Sequence, residues 1–474
     1  MVLLSKSFAY FFLGVATVVW VVRRRPRLRN AVLLAASYGF YATWHVYLAG
    51  WLLVLSLLDW GAAEAMVRTR SPRTRRALLI ASVVSNAGLL VTLKTYDFFR
   101  ESLAAFAAAL GLQAHLPVLE LLAPVGLSFF TFQGIAYLVD TYRGQAVRAS
   151  LLDFLLFMAY FPKLLAGPIC RSHELLPQLA STSAQSETPD LEQAAALILS
   201  GLAKKAVLAA YLSTHLVGEV FQVPERHTWP QLVVSLFAYS AEIYFDFSGY
   251  TDLARGLSLL LGFELPENFR SPYAATSLSD FWSRWHLTFS SWLRDYVYIP
   301  LGGSRRGRAR AHANLTLTML VCGLWHGASG GFVVWGLLHG LGLIVEKAWR
   351  GRTATAAPRP ASTRLVLLLQ GMATASYCGL ARISFRTDDL GTAWTYLRGL
   401  GKPSLDLEGL DPKVIAITGL CFLLNVAGPK PFFRFVEACR RLPPSALPWA
   451  WTALALVLLA CRTSEMTPYI YFGF

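Results

Sequence analysis

"MLVCGLWHGASGGFVVWGLLHG", Met319 to Gly340, reads as membrane filling, yet it carries His326 between a tryptophan and a glycine, and His339 near its end. The same apolar texture recurs from end to end of the 474 residues, of which 55% are hydrophobic, with a mean hydropathy of +0.46. Runs that recur in this way describe a polytopic membrane protein built wholly of helices. Apolar stretches lie near residues 7–22, 30–50, 51–67, 77–93, 120–139, 151–167, 193–215, 229–247, 313–327, 331–346, 364–381, 413–428 and 445–461. They predict roughly ten to thirteen helices that cross or enter the bilayer, in one transmembrane domain over 1–474 with no separate soluble part.

The net charge is +15, but the cations stand in short clusters between apolar runs: Arg23 to Arg29, Arg68 to Arg76, Ser304 to Arg310, and Lys347 to Arg364. That distribution fits the positive-inside rule better than a nucleic-acid surface, so no nucleic-acid partner is expected. The first two clusters follow spans one and three, which predicts an extracytoplasmic N-terminus and these loops on the cytoplasmic side of a bacterial inner membrane. Residues 1–22 lack a cationic start and a cleavage site and run directly into "RRRPRLR", so they read as a retained helix. The six cysteines show no CxxC and no metal-ligand spacing; neither a disulfide framework nor a metal site is expected. "STSAQSETPD" (181–190) and "GRTATAAPRPAST" (351–363) read as loops, and no fixed-period repeat is visible.

Residues 243–307 break the membrane rhythm, being too polar to span and too aromatic for a free loop. Short re-entrant or interfacial helices reconcile the two, because backbone at membrane depth must be satisfied inside protein. Within them Trp282, Trp285, Phe289, Trp292 and Tyr296 recur at helical spacing and predict one aromatic helix face. The opposite face would carry Arg284, His286, Ser290, Ser291, Arg294 and Asp295.

An ionisable group inside an apolar run marks function more often than chance. Gly323, Gly327, Gly330 and Gly331 flank His326 with small residues that permit close helix approach or leave room beside the ring. Apolar surroundings disfavour the imidazolium and leave a neutral ring able to take a proton from an alcohol, as acyl transfer to a hydroxyl requires. His286 is expected beside Arg284 and Asp295 on the polar face. His339, 13 residues after His326, falls about 140° round a continuous helix and is expected off the catalytic face. His45 reads as interfacial. Serine-hydrolase, P-loop and zincin signatures are absent. "LGGSRRGRAR" (Leu301 to Arg310) is glycine-rich and basic, so Ser304, Arg305 and Arg306 either cradle a donor phosphate or serve as topogenic charge.

At this point the residues carry a resemblance. "ENFRSPYAATSLSDFWSRWHLTFSSWLRDYVYIPLGGSR" (267–305) followed by "GLWHGASGGFVVWGLLHG" (323–340) resembles the signature of the membrane-bound O-acyltransferase (MBOAT) family. The likeness continues in "APVGLSFFTFQGIAYLVDTYRG" (123–144), "YFPKLLAGPICR" (160–171), "DFSGYTDLARGL" (246–257), "NAVLLAASYGFYATW" (30–44) and the closing "YIYFGF". The resemblance implies a ring of helices around a central funnel through which an acyl group passes from a cytoplasmic thioester to an acceptor outside. It implies His326 as catalytic histidine and His286 as its polar partner, with Trp285 and Trp325 beside them. Arg284, Trp285, Asp295, Tyr298, Asp246, Asn268 and Trp325 are the substrate-binding candidates it implies, and Asp252 matches a further motif position. Gly330 stands where the family commonly has an aromatic, and "SFRT" (384–387) replaces an "FFRA"-like spelling, both bearing on pocket shape.

What the resemblance implies about function is an O-acyltransferase without a bound cofactor, its donor acetyl-CoA or another acyl thioester, its acceptor an exopolysaccharide, with a periplasmic SGNH-type acetyltransferase as partner. The spellings lie nearer the alginate-acetylating branch than the branch that transfers D-alanine to teichoic acid. A transporter of polysaccharide or acyl groups is the alternative of a different class. It would need coupling carboxylates within spans, for which Asp59, Glu64 and Asp246 are the candidates.

Overall fold

Proline, serine and glycine punctuation sets where the helices of this protein begin and end. The computed structural model describes residues 3–112, 126–181, 190–353, 364–443 and 445–461. The expected loops therefore lie mostly outside the described residues, as do the start of the apolar run at 120–139 and the closing "YIYFGF". All regular structure among the described residues is helical. These residues group into two units, Met1–Ile198 with Thr251–Pro266, and Leu199–Tyr250 with Glu267–Phe474.

The first unit begins with α1 (Lys6–Val22), whose first free N–H groups are partly met by the Ser5 hydroxyl, which accepts from the Phe8 amide at 3.1 Å. Then follow α2 (Pro26–Ala42), α3 (Val46–Arg68) and α4 (Pro72–Ala109). Proline opens α2 and α4, where a missing N–H costs nothing. Left-handed Gly126 and Gly144 bracket α5 (Leu127–Arg143), and α6 (Leu151–Ala159), α7 (Phe161–Leu164) and α8 (Ser172–Ala180) complete the series. At Gly126 a Cβ would stand 2.5 Å from the Leu164 carbonyl, so both the left-handed backbone and the close approach require glycine. In the core Phe8 stacks on Phe12 and meets Phe40 and Phe161 edge to face, as Phe12 meets Phe161.

Arg29 corrects the reading of its cluster as loop charge. It is fully buried in α2, donates to the Leu179 carbonyl and to Asn30, and lies 5.0 Å from the Phe263 ring. A guanidinium so satisfied is a structural staple, leaving Arg23 to Arg25 as the cations of the turn.

In the second unit α9 (Leu191–Gln222, its first residues belonging to the other unit) contains two π-helical stretches. The long α10 (Trp229–Leu260) follows, then two short helices, α11 (Leu278–Trp282) and α12 (Leu287–Leu293). Next come α13 (Arg308–His326), α14 (Gly330–Thr353) and α15 (Arg364–Arg386). The chain continues through α16 (Leu390–Leu400), α17 (Pro412–Ala427), α18 (Lys430–Arg440) and α19 (Leu447–Cys461). The Lys205 ammonium donates to the Asp246 carboxylate in a buried pair between α9 and α10.

Among the described residues five helices are long and apolar enough to cross a membrane: Val46–Arg68, Pro72–Lys94, Leu191–Gln222, Gly330–Trp349 and Arg364–Arg386. The pair α17 and α18, bent by 84°, makes six if counted as one broken span. Other apolar runs form shorter helices, Lys6–Val22 and Leu447–Cys461 among them, and α10 carries buried Ser235, Ser240, Glu242 and Asp246.

The aromatic helix expected over 282–296 is broken, and so is the continuous helical register reckoned from His326 to His339. α11 stops at Trp282 and α12 starts at Leu287, separated by a turn in which His286 takes a left-handed backbone, φ 43° and ψ 57°. The five aromatics therefore do not form one stripe. α13 likewise ends at His326, and α14 begins only at Gly330.

The glycines expected to allow close approach mostly do so. A Cβ at Gly323 would stand 2.3 Å from the Phe332 carbonyl oxygen, and one at Gly331 2.1 Å from that of Ser384. A Cβ at Gly327 would stand 2.5 Å from the Phe332 ring, whereas one at Gly330 would meet only the Leu390 side chain, at 3.3 Å. Gly331→Ala is expected to cost about 1–3 kcal/mol by overpacking. A thermal melt of the detergent-purified variant should show the drop, and an unchanged melting point would deny the close contact.

Candidate active site

His326 ends α13, where the extended Gly327 turns the chain toward α14. Its imidazole is buried among Trp325, Phe332, Trp335 and Phe385, with ring centroids 4.5, 6.1, 5.4 and 4.7 Å away. The short loop through Gly327 to Ser329 folds α14 back beside α13, so Phe332 and Trp335 come from the next helix while Phe385 reaches in from α15.

His286 arrives by a different device. Its left-handed backbone at the start of α12 bends the chain sharply, a conformation that costs a non-glycine residue about 1–2 kcal/mol. The turn is held because the His286 carbonyl accepts from the Ser290 amide at 2.8 Å. The Leu287 amide, meanwhile, donates to the Asn268 carbonyl at 2.9 Å. The ring is buried against Phe247, Phe289 and Trp325 at 4.6, 5.1 and 6.1 Å. Neither ring nitrogen has a hydrogen-bond partner among the described residues. Trp325 is thus shared, touching both histidines.

One cleft of the second unit is lined by His286, His326 and His339 together with Trp282, Trp285, Trp335, Phe385, Cys322 and Arg382. It holds about 430 Å³ of empty space, its open mouth included. His339 belongs to it, contrary to the expectation from a continuous helix, because the break at 327–329 resets the angular register between the two histidines. Its Nδ1 accepts the Trp282 indole N–H at 3.3 Å, which places the proton of the neutral ring on Nε2. Arg382, buried on α15, is the charged member of the lining. It was legible as an isolated arginine inside an apolar run, and the reading of the sequence missed it.

The other sequence candidates separate into those that build the cleft and those elsewhere. Trp285 lines it, and Trp325 packs behind it. Asn268 is fully buried and uses Oδ1 to accept from the Thr288 hydroxyl at 2.6 Å, so it anchors the start of α12. Arg284 and Asp295 do not join His286, correcting the expected polar face. Arg284 pairs with Asp280 at 2.7 Å and Asp295 with Arg294 at 2.8 Å, both partly exposed, because the turn at 283–286 points His286 inward and leaves these charges outside. Asp246 pairs with Lys205, and Asp252 lies one helical turn and a half further along α10, in the other unit. The Tyr298 ring lies 5.8 Å from the Lys347 ammonium, outside the lining. Ser304, Arg305 and Arg306 are exposed in the turn before α13, where Gly302 and Gly303 have positive φ and the Asn314 amide donates to the Gly303 carbonyl at 2.9 Å.

His286 lies between short helices that do not span. Burial without a neighbouring carboxylate holds its imidazole well below the ordinary value of 6.5. The sign follows: the unfolded chain binds a proton below pH 6.5 that the folded chain refuses, so folding stability falls as pH drops through that value. Melting temperatures between pH 7.5 and 5 should fall, and His286→Gln should flatten the slope. An unchanged slope in the variant would show that His286 does not titrate differently on folding.

A buried aromatic cleft carrying three histidines and a guanidinium, in a chain with several membrane-length helices, fits a polytopic membrane enzyme. The sequence profile of the family described as "MBOAT, membrane-bound O-acyltransferase family" matches residues 36–378, and the chain belongs to that family. It is 38% identical over 352 residues to the "Probable alginate O-acetylase AlgI" of Pseudomonas syringae, covering 73% of this chain and 66% of that protein. To the protein of the same name from Azotobacter vinelandii it is 36% identical over 402 residues, 83% of this chain and 77% of the relative. With the "Peptidoglycan O-acetyltransferase" of Helicobacter pylori it shares 33% identity over 403 residues, 80% and 74% of the two chains. The matched stretch therefore spans about two thirds to three quarters of these relatives' lengths.

Proposed function

We propose that this chain transfers an acyl group, acetyl in the first instance, from a cytoplasmic thioester such as acetyl-CoA to a hydroxyl of an exported polysaccharide, directly or through a periplasmic acetyltransferase of the SGNH type. The observation that carries this reading is His326 in a buried cleft walled by aromatic rings. His326 takes the proton of the attacking hydroxyl as the oxygen bonds to the acyl carbon. The carbon–sulfur bond then breaks and the thiolate leaves with a proton, returning the ring to neutrality. Aromatic walls exclude water, which would otherwise hydrolyse the thioester. The exposed basic turn at Ser304 to Arg306 is suited to a donor phosphate at the membrane surface. The names of the relatives point to a polysaccharide or peptidoglycan acceptor.

Transport is less well supported. Of the carboxylates it would use, Glu64 pairs with Arg68 and Arg148, Asp59 accepts from Asn86 at 2.7 Å, and Asp246 pairs with Lys205. The donor test offers detergent-purified protein labelled acetyl-CoA and a D-alanyl carrier thioester side by side with an acceptor extract. Thiol release from acetyl-CoA is expected; release from the D-alanyl thioester alone would replace acetyl by D-alanyl transfer.

A further inference from the structure

We propose that Arg382 is the oxyanion-binding catalytic residue of the cleft, a role that rests on the acyl-transfer reading above. The residue lies beyond 36–378, the stretch matched by the family profile, and no motif of the sequence pointed to it. Its side chain is 5% exposed, yet it pairs with no carboxylate among the described residues. Three aromatic rings hold the guanidinium instead, with Tyr273, Phe281 and Trp285 at 5.6, 5.6 and 5.1 Å, and Nη1 donates to the Ser240 hydroxyl at 2.9 Å. These contacts fix the planar fork in place and spend only one of its five N–H groups in a hydrogen bond. Among the described residues no carboxylate neutralises the charge, and beside aromatic rings it acts more strongly on charge that forms during reaction than it would in water.

When the acceptor oxygen attacks the thioester carbonyl, the carbon–oxygen double bond opens and its electron pair settles on the carbonyl oxygen. The hydroxyl proton passes to His326. A hydrogen-bond donor on the oxyanion then lowers the barrier, and Arg382 is the residue of the lining that carries a charge whatever the state of the histidines. Arg382 can donate N–H bonds to that oxygen and release it when the pair returns, the carbon–sulfur bond breaks and the thiolate is protonated. The ground-state thioester oxygen carries little charge, so the interaction strengthens mainly in the transition state.

Arg382→Met and Arg382→Lys separate this role from packing. Each variant is purified in detergent, its melting temperature recorded, and thiol release from acetyl-CoA measured with the acceptor extract that supports wild-type turnover. For Arg382→Met, kcat should fall by about 10²–10³ with KM for acetyl-CoA within about threefold of wild type. Arg382→Lys keeps the charge but loses the fork, and should lose about tenfold in kcat with KM likewise unchanged. A folded Arg382→Met with wild-type kcat overturns the proposal. So does a loss confined to KM, which would make Arg382 a ground-state anchor for an anionic part of the donor. If Arg382→Met does not fold, Arg382→Lys decides by the same split, wild-type kcat overturning the assignment. Wild-type protein that releases no thiol from acetyl-CoA with any acceptor extract would instead refute the acyl-transfer reading, whereas full thiol release in His326→Ala would remove only His326 as its base.

Discussion

His326→Ala is expected to slow acyl transfer by about 10²–10⁴, the range contributed by a positioned general base. The variant should remain folded, because the ring packs against the aromatic side chains of Trp325, Trp335 and Phe385, which stay in place when it is shortened. Removing a buried ring still leaves a cavity, so His326→Gln, closer in volume, is the companion variant. Glutamine cannot take the hydroxyl proton, and both variants should lose kcat alike while melting near the wild-type temperature. Thiol release at near wild-type rate in the folded glutamine variant would remove His326 from the chemistry.

The largest effect on stability is expected from Lys205→Met. The variant leaves the Asp246 carboxylate buried with its cation removed, which costs about 3–5 kcal/mol when one partner of a buried pair is deleted. Little folded protein should survive extraction. Neutralising both partners, in Lys205→Met with Asp246→Val, should restore most of the folded yield, since a buried ion pair is often replaced by apolar groups without loss. The double variant also tests the candidacy of Asp246 as a substrate ligand. If the pair is structural, the rescued protein turns over near the wild-type rate; a folded but inactive protein would return Asp246 to the site.

How much of this was legible in the sequence depends on whether a feature is local. The helical, membrane-spanning class followed from apolar run length, and His326 stood out because an ionisable group among Leu, Trp and Gly is conspicuous at any register. The cleft was less legible because it is assembled by breaks. Helical periodicity carried Trp282 through Tyr296 onto one face, while the chain turns at 283–286 through a left-handed histidine, a conformation uncommon enough outside glycine that spacing does not predict it. The same assumption of continuity put His339 off the site. Arg284 and Asp295 were grouped with His286 by angle alone, yet each pairs locally with an opposite charge. Arg29 looked topogenic beside its neighbours, and only partners 150 residues away in sequence, such as the Leu179 carbonyl, reveal it as buried. Long-range partners of this sort are invisible to any reading of spacing.

The central claim is that a thioester is consumed and an oxygen ester formed at the cleft. The most direct measurement follows purified protein in vesicles supplied with acetyl-labelled CoA on one side and polysaccharide acceptor on the other, counting free CoA thiol against label bound to acceptor. One thiol released for each acetyl ester gained, absent in His326→Gln, is the predicted result. Label or polysaccharide crossing the vesicle wall without release of thiol would contradict it.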